Sequence, residues 1–458
     1  MTSTKTKIDK TFFKTMLAIA IPISIQNLIS SSLNMIDILM IGRVSENALA
    51  AVGMANQLFF FFMLISFGIC SGAGIFISQY WGKKDIAKIK STLGFAIIAV
   101  AIIGLIFSFV AIVLPKYIMM VFDAKGEVME LGVSYLRIIG ISYVVTAISF
   151  AYGFSCRSVQ KANMPMIVSS ISLLINTGLN YLLIFGKFGF PEMGVSGAAL
   201  ATAIARFTEL FLMILIIYRD KTHPLAANIK ELMAFDKDFL KKYYVTATPV
   251  IINEMMWSLG TIMYSVAYSR VGTTAIAAVQ VANTVSNIFM VASFGVGNAC
   301  AVMLGSELGA GKNEVAINYA KKFAILTFML GGFVGILLYL CIPIINTWFG
   351  VTPNLEQSVR NILLVKAFFS PFVTFNVALV IGILRSGGDT KYALFIEMGG
   401  VWLIGVPMAF IGALWLKLPI HYIVLMVSLE ELFKTIVGLP RVLSNKWAKN
   451  LVDDTALA

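Results

Sequence analysis

The residues RVSENALAAVGMAN (43–56) return as RVGTTAIAAVQVAN (270–283), and this internal echo decides the architecture. Extended without gaps, residues 22–82 against 249–309 give 17 identities in 61 positions. Among them are Pro22 with Pro249, Asn56 with Asn283, Ser66-Phe67-Gly68 with Ser293-Phe294-Gly295, and Gly82 with Gly309. At a shift of 228 residues, Arg157 also falls opposite Arg385. The chain is two homologous halves.

Working outward, apolar runs fall near 15–41, 52–80, 91–115, 131–154, 163–186 and 194–218, then near 244–269, 275–307, 318–344, 362–384, 392–416 and 419–438. About 20 apolar residues cross a bilayer core as a helix. The composition agrees, because 59% of the 458 residues are hydrophobic and 13% charged, against roughly 45–50% and about 25% in soluble domains. A soluble enzyme is excluded. Six spans per half is an even number, so both halves enter the membrane in the same direction, as in the parallel repeats of secondary transporters. The expected fold is an all-α membrane protein with twelve transmembrane helices in two parallel six-helix lobes, residues 1–218 and 244–440. A basic cytoplasmic linker, 219–243, joins them, and 441–458 form a cytoplasmic tail. The linker reads as a membrane-surface segment with a short amphipathic helix at 228–242, or as a tether only.

The net charge of +12 does not argue for nucleic acid, because the basic residues sit in short gaps between spans. With the amino terminus inside, most of the 35 Lys and Arg fall in cytoplasmic segments or at the cytoplasmic ends of spans, including Lys5, Lys7, Lys10, Lys14, Lys83, Lys84, Lys88 and Lys90. Opposite loops hold seven, which places both termini in the cytoplasm. The first span is too long for a signal-peptide core. Cys70, Cys156, Cys300 and Cys341 lie in apolar runs without CxxC or Cys/His spacing, so no zinc site or disulfide framework is read.

A charge within the bilayer is costly, so each needs a partner or a task. Arg137 and Lys366 lie near outer helix ends and can snorkel. Arg206 with Glu209 and Glu430 with Lys434 have the spacing of local helical pairs. Glu397 lies close to Lys391, and Glu431 has no obvious local partner. Asp37, in SSSLNMIDILMIG, and Glu254, in TPVIINEMMWSLG, have no basic residue three or four positions away. Desolvation favours the neutral form of a carboxyl, so such a group can take up a proton near neutral pH and release it to water. The other reading pairs each with a distant helix. Pro22 and Pro249 remove backbone hydrogen bonds within the spans carrying these acids and are candidate hinges.

Three stretches carry a family resemblance: AIPISIQNLISSSLNMIDILMIGRVSENALAAVG (20–53), NTGLNYLLIFGKFGFPEMGVSGAALATAIAR (176–206) and ILRSGGDTKYALFIEMGGVWLIGVPMAF (383–410). Together they make the chain similar to the multidrug and toxic compound extrusion family. The resemblance implies twelve helices in two lobes around a central cavity, and export of cationic, often aromatic compounds in exchange for H⁺ or Na⁺, with no cofactor. It implies that Asp37 binds the coupling ion, with Asn176 and Thr202 as polar partners. Asn180 stands where some members carry a second aspartate, which favours H⁺ over Na⁺. Glu254 resembles a glutamate of the branch described as Na⁺-coupled, although that branch's tenth-span aspartate is replaced near Thr374.

Met54, Asn56, Gln57, Phe61, Tyr264, Tyr268, Gln280 and Asn283 offer apolar surface with a few amides, suited to cations over rings. The equally available reading is packing against lipid or helices. The expected function is a secondary active multidrug exporter in the cell membrane, antiporting cationic amphiphiles against inward H⁺ or Na⁺. Its expected partners are small molecules and the bilayer, with no nucleic acid and no obligate protein partner. The alternative is a flippase for lipid-linked saccharides, which calls for a cationic cavity. An enzyme is not expected: HExxH and GxSxG are absent, and GSELGAGKN (305–313) fails the P-loop spacing.

Overall fold

The computed structural model describes residues 2–349 and 353–453; the side chains of Lys5 and Lys7 and the tail residues 454–458 lie outside the described residues. Among the described residues all regular structure is helical. The first half runs α1 Thr2–Gly42, α2 Glu46–Lys83, α3 Ile86–Val113, α4 in two pieces, Gly126–Gly140 and Tyr143–Ser158, α5 Asn163–Phe185 and α6 Gly194–Arg219. The second runs α7 Lys237–Ser269, α8 Thr273–Gly309, α9 Asn313–Phe349, α10 Pro353–Val377 continued by Ala378–Leu384, α11 Thr390–Trp415 and α12 Ile420–Leu443. These match the twelve apolar segments.

Nine of the helices are long and apolar enough to cross a membrane, and bent α4 makes a tenth. The remaining two, α7 and α12, are of spanning length, with 33 and 24 residues. They are less apolar because α7 carries Asn253 and Glu254 and α12 carries Glu430, Glu431 and Lys434. Polar residues that weaken the hydropathy signal are the ones that build the sites described below.

Local chemistry sets the breaks. Asp85 caps α3 by accepting the Lys88 N–H at 3.0 Å, and Gly186 ends α5 in the left-handed region at φ 62°. The pieces of α4 meet at 51°. The Gly140 carbonyl at that break accepts from Ser108 Oγ at 2.7 Å, as a carbonyl away from water requires. Three stretches, 378–384 in α10 and 399–405 and 411–415 in α11, wind as π-helix. In the second of these, Gly399, Gly400 and Gly405 leave room for Phe433, Lys434 and the Tyr264–Glu430 contact.

The chain divides into two compact units. The amino-terminal unit comprises residues 25–77 and 85–243. In it the linker does not lie free. Glu231 pairs with Lys90 at 2.9 Å and Asp236 with Lys88 at 2.7 Å, and Gly94 faces the Leu232 backbone closely enough to exclude a Cβ. The short helix expected at 228–242 is one turn, Ile229–Leu232, closed by an Asn228–Glu231 capping box, with α7 starting at Lys237.

The carboxy-terminal unit comprises residues 1–24, 78–84 and 244–458. Two segments from the first half of the sequence pack in it for visible reasons. Phe12 packs at a steep angle against Tyr319 and edge-on against Phe323, with ring centres 5.0 and 4.9 Å away. Gly82 and Gly309, equivalent in the repeat, let the ends of α2 and α8 cross backbone to backbone. The tail docks on this unit, with Trp447 fully buried. Gln79 Nε2 donates to the Ser386 and Lys449 carbonyls at 2.8 and 3.2 Å, and Gln79 Oε1 accepts the Leu451 N–H at 2.7 Å.

Candidate functional site

In the amino-terminal unit, α1, α5 and α6 bring four sequence-selected residues into one chain of hydrogen bonds. Asn180 Nδ2 donates to Asp37 Oδ1 at 2.5 Å and to Asn176 Oδ1 at 3.1 Å, and Asn176 Nδ2 donates to Thr202 Oγ1 at 3.2 Å. Asn176 and Asn180 are four apart on α5, one turn on one face, and both are fully buried. No Lys or Arg among the described residues makes an ion pair with Asp37. Asn180 Oδ1 is buried without a hydrogen-bond partner. An uncommitted acceptor thus stands beside the carboxyl, and the same amide can donate to a carboxylate or accept from a carboxylic acid.

Arg206, near this group, is held by Glu209 at 2.8 Å, as their spacing foresaw. Glu209 also accepts from Ser169 Oγ at 3.0 Å, and Ser169 Oγ accepts from Gln26 Nε2 at 3.1 Å. Arg157 completes that network, donating to Gln26 Oε1 from Nε at 3.2 Å and from Nη2 at 2.6 Å.

Glu254 is different. It accepts from Arg385 Nη2 at 2.7 Å, and the Arg385 side chain is 3% exposed. Of the two readings left open for this carboxylate, pairing with a distant helix is what the geometry contains. Pro22 and Pro249 are both buried within continuous helices. The division of α1 between the units falls at Ser24–Ile25, directly after Pro22.

The carboxy-terminal unit also contains a half-open cavity of about 650 Å³. Of the sequence-selected cavity residues, Tyr264, Tyr268 and Asn283 line it, and Gln280 is exposed and does not. In the amino-terminal unit Met54 is half-buried, while Asn56, Gln57 and Phe61 are exposed on α2, Asn56 accepting from the Tyr135 hydroxyl at 3.4 Å.

Sequence spacing missed the carboxylate cluster beside this cavity. Lys434 is not satisfied by Glu430 alone: its Nζ lies 2.8 Å from Glu397, 3.2 Å from Glu431 and 3.5 Å from Glu430. Glu397 therefore pairs with Lys434 across the α11–α12 contact and not with Lys391. Glu431 is placed too, accepting from Asn376 Nδ2 at 2.7 Å. The Tyr264 hydroxyl donates to Glu430. Glu430, Glu431 and Lys434 do follow helical spacing, but nothing in the sequence says that Glu397 and Asn376 face them.

A family model, MatE, matches residues 22–182 and 249–411, one block in each half. The chain belongs to the MatE family. Its members are membrane transporters and not enzymes, so this is a multi-pass membrane transporter. Among MatE relatives, the probable multidrug resistance protein YoeA of Bacillus subtilis is 25% identical over 91% of this chain and 90% of its own length. The probable multidrug resistance protein NorM of Thermotoga maritima is 24% identical over 96% and 94%. A solved outward-facing multidrug resistance MATE family transporter matches at a TM-score of 0.85 and 18% identity, over 94% of this chain and 96% of its own. That likeness confirms the all-helical MatE fold.

Proposed function

We propose that this protein is a multidrug exporter of the cell membrane, with both termini in the cytoplasm, that expels cationic amphiphiles in exchange for inward H⁺ bound at Asp37. One observation carries the reading: Asp37 is held by the neutral amide of Asn180 and, among the described residues, by no ion pair, so its charge can change without breaking one. Asn180 serves both states, donating to the carboxylate and, after rotation of its amide, accepting from the acid. Na⁺ would need several oxygens at once, yet Asn176 Oδ1 and Thr202 Oγ1 already accept from Asn180 and Asn176. The relatives' multidrug resistance supports the substrate class. The lysine-rich α2–α3 turn and linker support the orientation.

In alternating access, Asp37 takes a proton from outside and releases it inside, and α1 bends about Pro22 between the two states. Glu254, fixed by Arg385, acts in α7 as a joint, five residues after Pro249. A monocation exchanged for one proton moves no net charge. The membrane potential then does no work, and each pH unit sustains about a tenfold substrate gradient, or about 1.4 kcal/mol.

The test is dye efflux from vesicles holding the purified protein, under an imposed pH gradient or an imposed Na⁺ gradient, one at a time. The pH gradient drives efflux of a cationic dye by the wild type and not by Asp37→Asn. Efflux driven by Na⁺ alone, or undiminished in Asp37→Asn, overturns the proposal.

A further inference from the structure

The carboxy-terminal cavity has walls of opposite sign. On α10, Lys366, Phe369, Ser370 and Val373 follow helical spacing and all line it. Lys366 was expected to reach the membrane surface, but it faces this cavity and has no ion-pair or hydrogen-bond partner among the described residues. Four residues on, one turn along the same face, Ser370 is 4% exposed and its Oγ is a buried polar atom without a partner. An ammonium and a free hydroxyl donor on one face form a place for an anionic group.

The α12 wall is the reverse. Glu430 and Glu431 line the cavity, and with Glu397 behind them they share the single cation Lys434. Three carboxylates on one lysine leave an excess of acceptors facing the space. The rings of Phe289 and Phe369 also line the space. The volume of about 650 Å³ falls within the roughly 300–1,000 Å³ of small-molecule sites. A simple cation meets Lys366 and a simple anion meets the glutamates, so neither suits both walls.

We infer that this cavity binds a zwitterionic amphiphile, its cationic nitrogen toward Glu430 and Glu431, its carboxylate toward Lys366 and Ser370, and its aromatic body between. The inference rests on the reading of the protein as a carrier of organic cations and adds an anionic group to the ligand. Lys366 is then the residue that distinguishes a zwitterion from its ester.

The test uses rhodamine B, a zwitterion at neutral pH, and its ethyl ester, a cation with the same ring system. Binding to the full chain in an uncharged detergent is followed by fluorescence polarisation without any ion gradient. Wild type binds rhodamine B about tenfold more tightly than the ester, the ratio of one good charge-assisted contact. Lys366→Met removes that preference by weakening rhodamine B alone, Lys366→Arg keeps it, and Ser370→Ala reduces it about threefold. Thermal unfolding of each variant establishes that it is folded. Equal affinity of wild type for the two dyes, or an equal effect of a folded Lys366→Met on both, overturns the inference. Because no transport is measured, loss of the dye preference leaves the exporter reading standing, and loss of proton coupling leaves this site standing.

Discussion

Two substitutions at Glu254 separate a structural joint from a proton carrier. Arg385 donates to Glu254 at 2.7 Å in the carboxy-terminal unit, and Arg157 donates to Gln26 in the amino-terminal unit. Each arginine lies 131 residues after its partner; Arg157 and Arg385 correspond at a shift of 228 residues, and Glu254 lies one position beyond Asn253, the residue opposite Gln26 in the ungapped alignment of α1 with α7. The same joint is built once with a carboxylate and once with an amide. Glu254→Ala removes the acceptor and leaves a guanidinium buried without it, and breaking a buried pair from one side costs about 3–5 kcal/mol. Glu254→Gln keeps an oxygen in place and recreates the Arg157–Gln26 contact. It loses only the extra strength of an acceptor that is itself charged, about 1–2 kcal/mol. Alanine therefore destabilises by about 1–4 kcal/mol more than glutamine, a factor of roughly 5–900 in the unfolding equilibrium. Unfolding in mixed micelles titrated with SDS, followed by circular dichroism, measures the difference. If glutamine proves as damaging as alanine, the repeat-equivalent joint is refuted. If glutamine leaves stability intact while efflux vanishes, Glu254 carries the proton.

Gly309→Ala puts a Cβ into the Gln79 carbonyl at the crossing of α2 and α8; the variant loses at least ~3 kcal/mol in the same unfolding assay, whereas Gly332→Ala, where the space is open, is neutral or stabilising. Lys434→Met strands three carboxylates and costs about 3–5 kcal/mol, and adding Glu430→Gln restores ~1 kcal/mol or more of it, a non-additivity read from the double-mutant cycle. His223, in the docked linker, is 5% exposed, and burial, reinforced by Lys161, lowers its pKa to about 4. A histidine neutral in the folded state stabilises fully above its unfolded pKa of about 6.5 and loses that contribution as pH falls toward 4. Proteolysis of the linker accordingly accelerates between pH 7 and 5 in wild type, and His223→Phe removes the acceleration; a pH-independent cleavage rate in wild type removes His223 from the linker's stability.

Helical period and length made the twelve spans legible, because burial in a bilayer demands an uninterrupted apolar run whatever its neighbours. The Asp37 group was legible because Asn176 and Asn180 share one face of α5 and the family resemblance supplied α1. What periodicity does not encode is which helix a polar face meets. Glu397 and Asn376 meet α12 across distances in sequence that no local rule spans. The one long-range partner with a readable trace was that of Glu254. Arg157 and Arg385 align at a shift of 228, and Glu254 lies within one position of the residue opposite Gln26 in the 227-residue alignment, so the repeat points to the right stretch of α7. Nor did composition show that Glu231 and Asp236 dock the linker, since a basic segment beside a membrane satisfies the same charge pattern.

The repeat also explains why the two units hold their acids so differently. At the 227-residue shift, Asp37 falls opposite Tyr264, a residue that holds a carboxylate instead of being one. The carboxyl it holds comes from α12, and a lysine one turn on comes with it. An acid bound to an amide can change its charge at the cost of rotating that amide; three acids gathered on one buried lysine are held together by its single charge, and removing that lysine leaves all three without it. Divergence after duplication has thus left one half with a carboxyl held by an amide and the other with three carboxyls gathered on one lysine beside a cavity, the arrangements on which the proposed ion site and the proposed ligand site respectively rest.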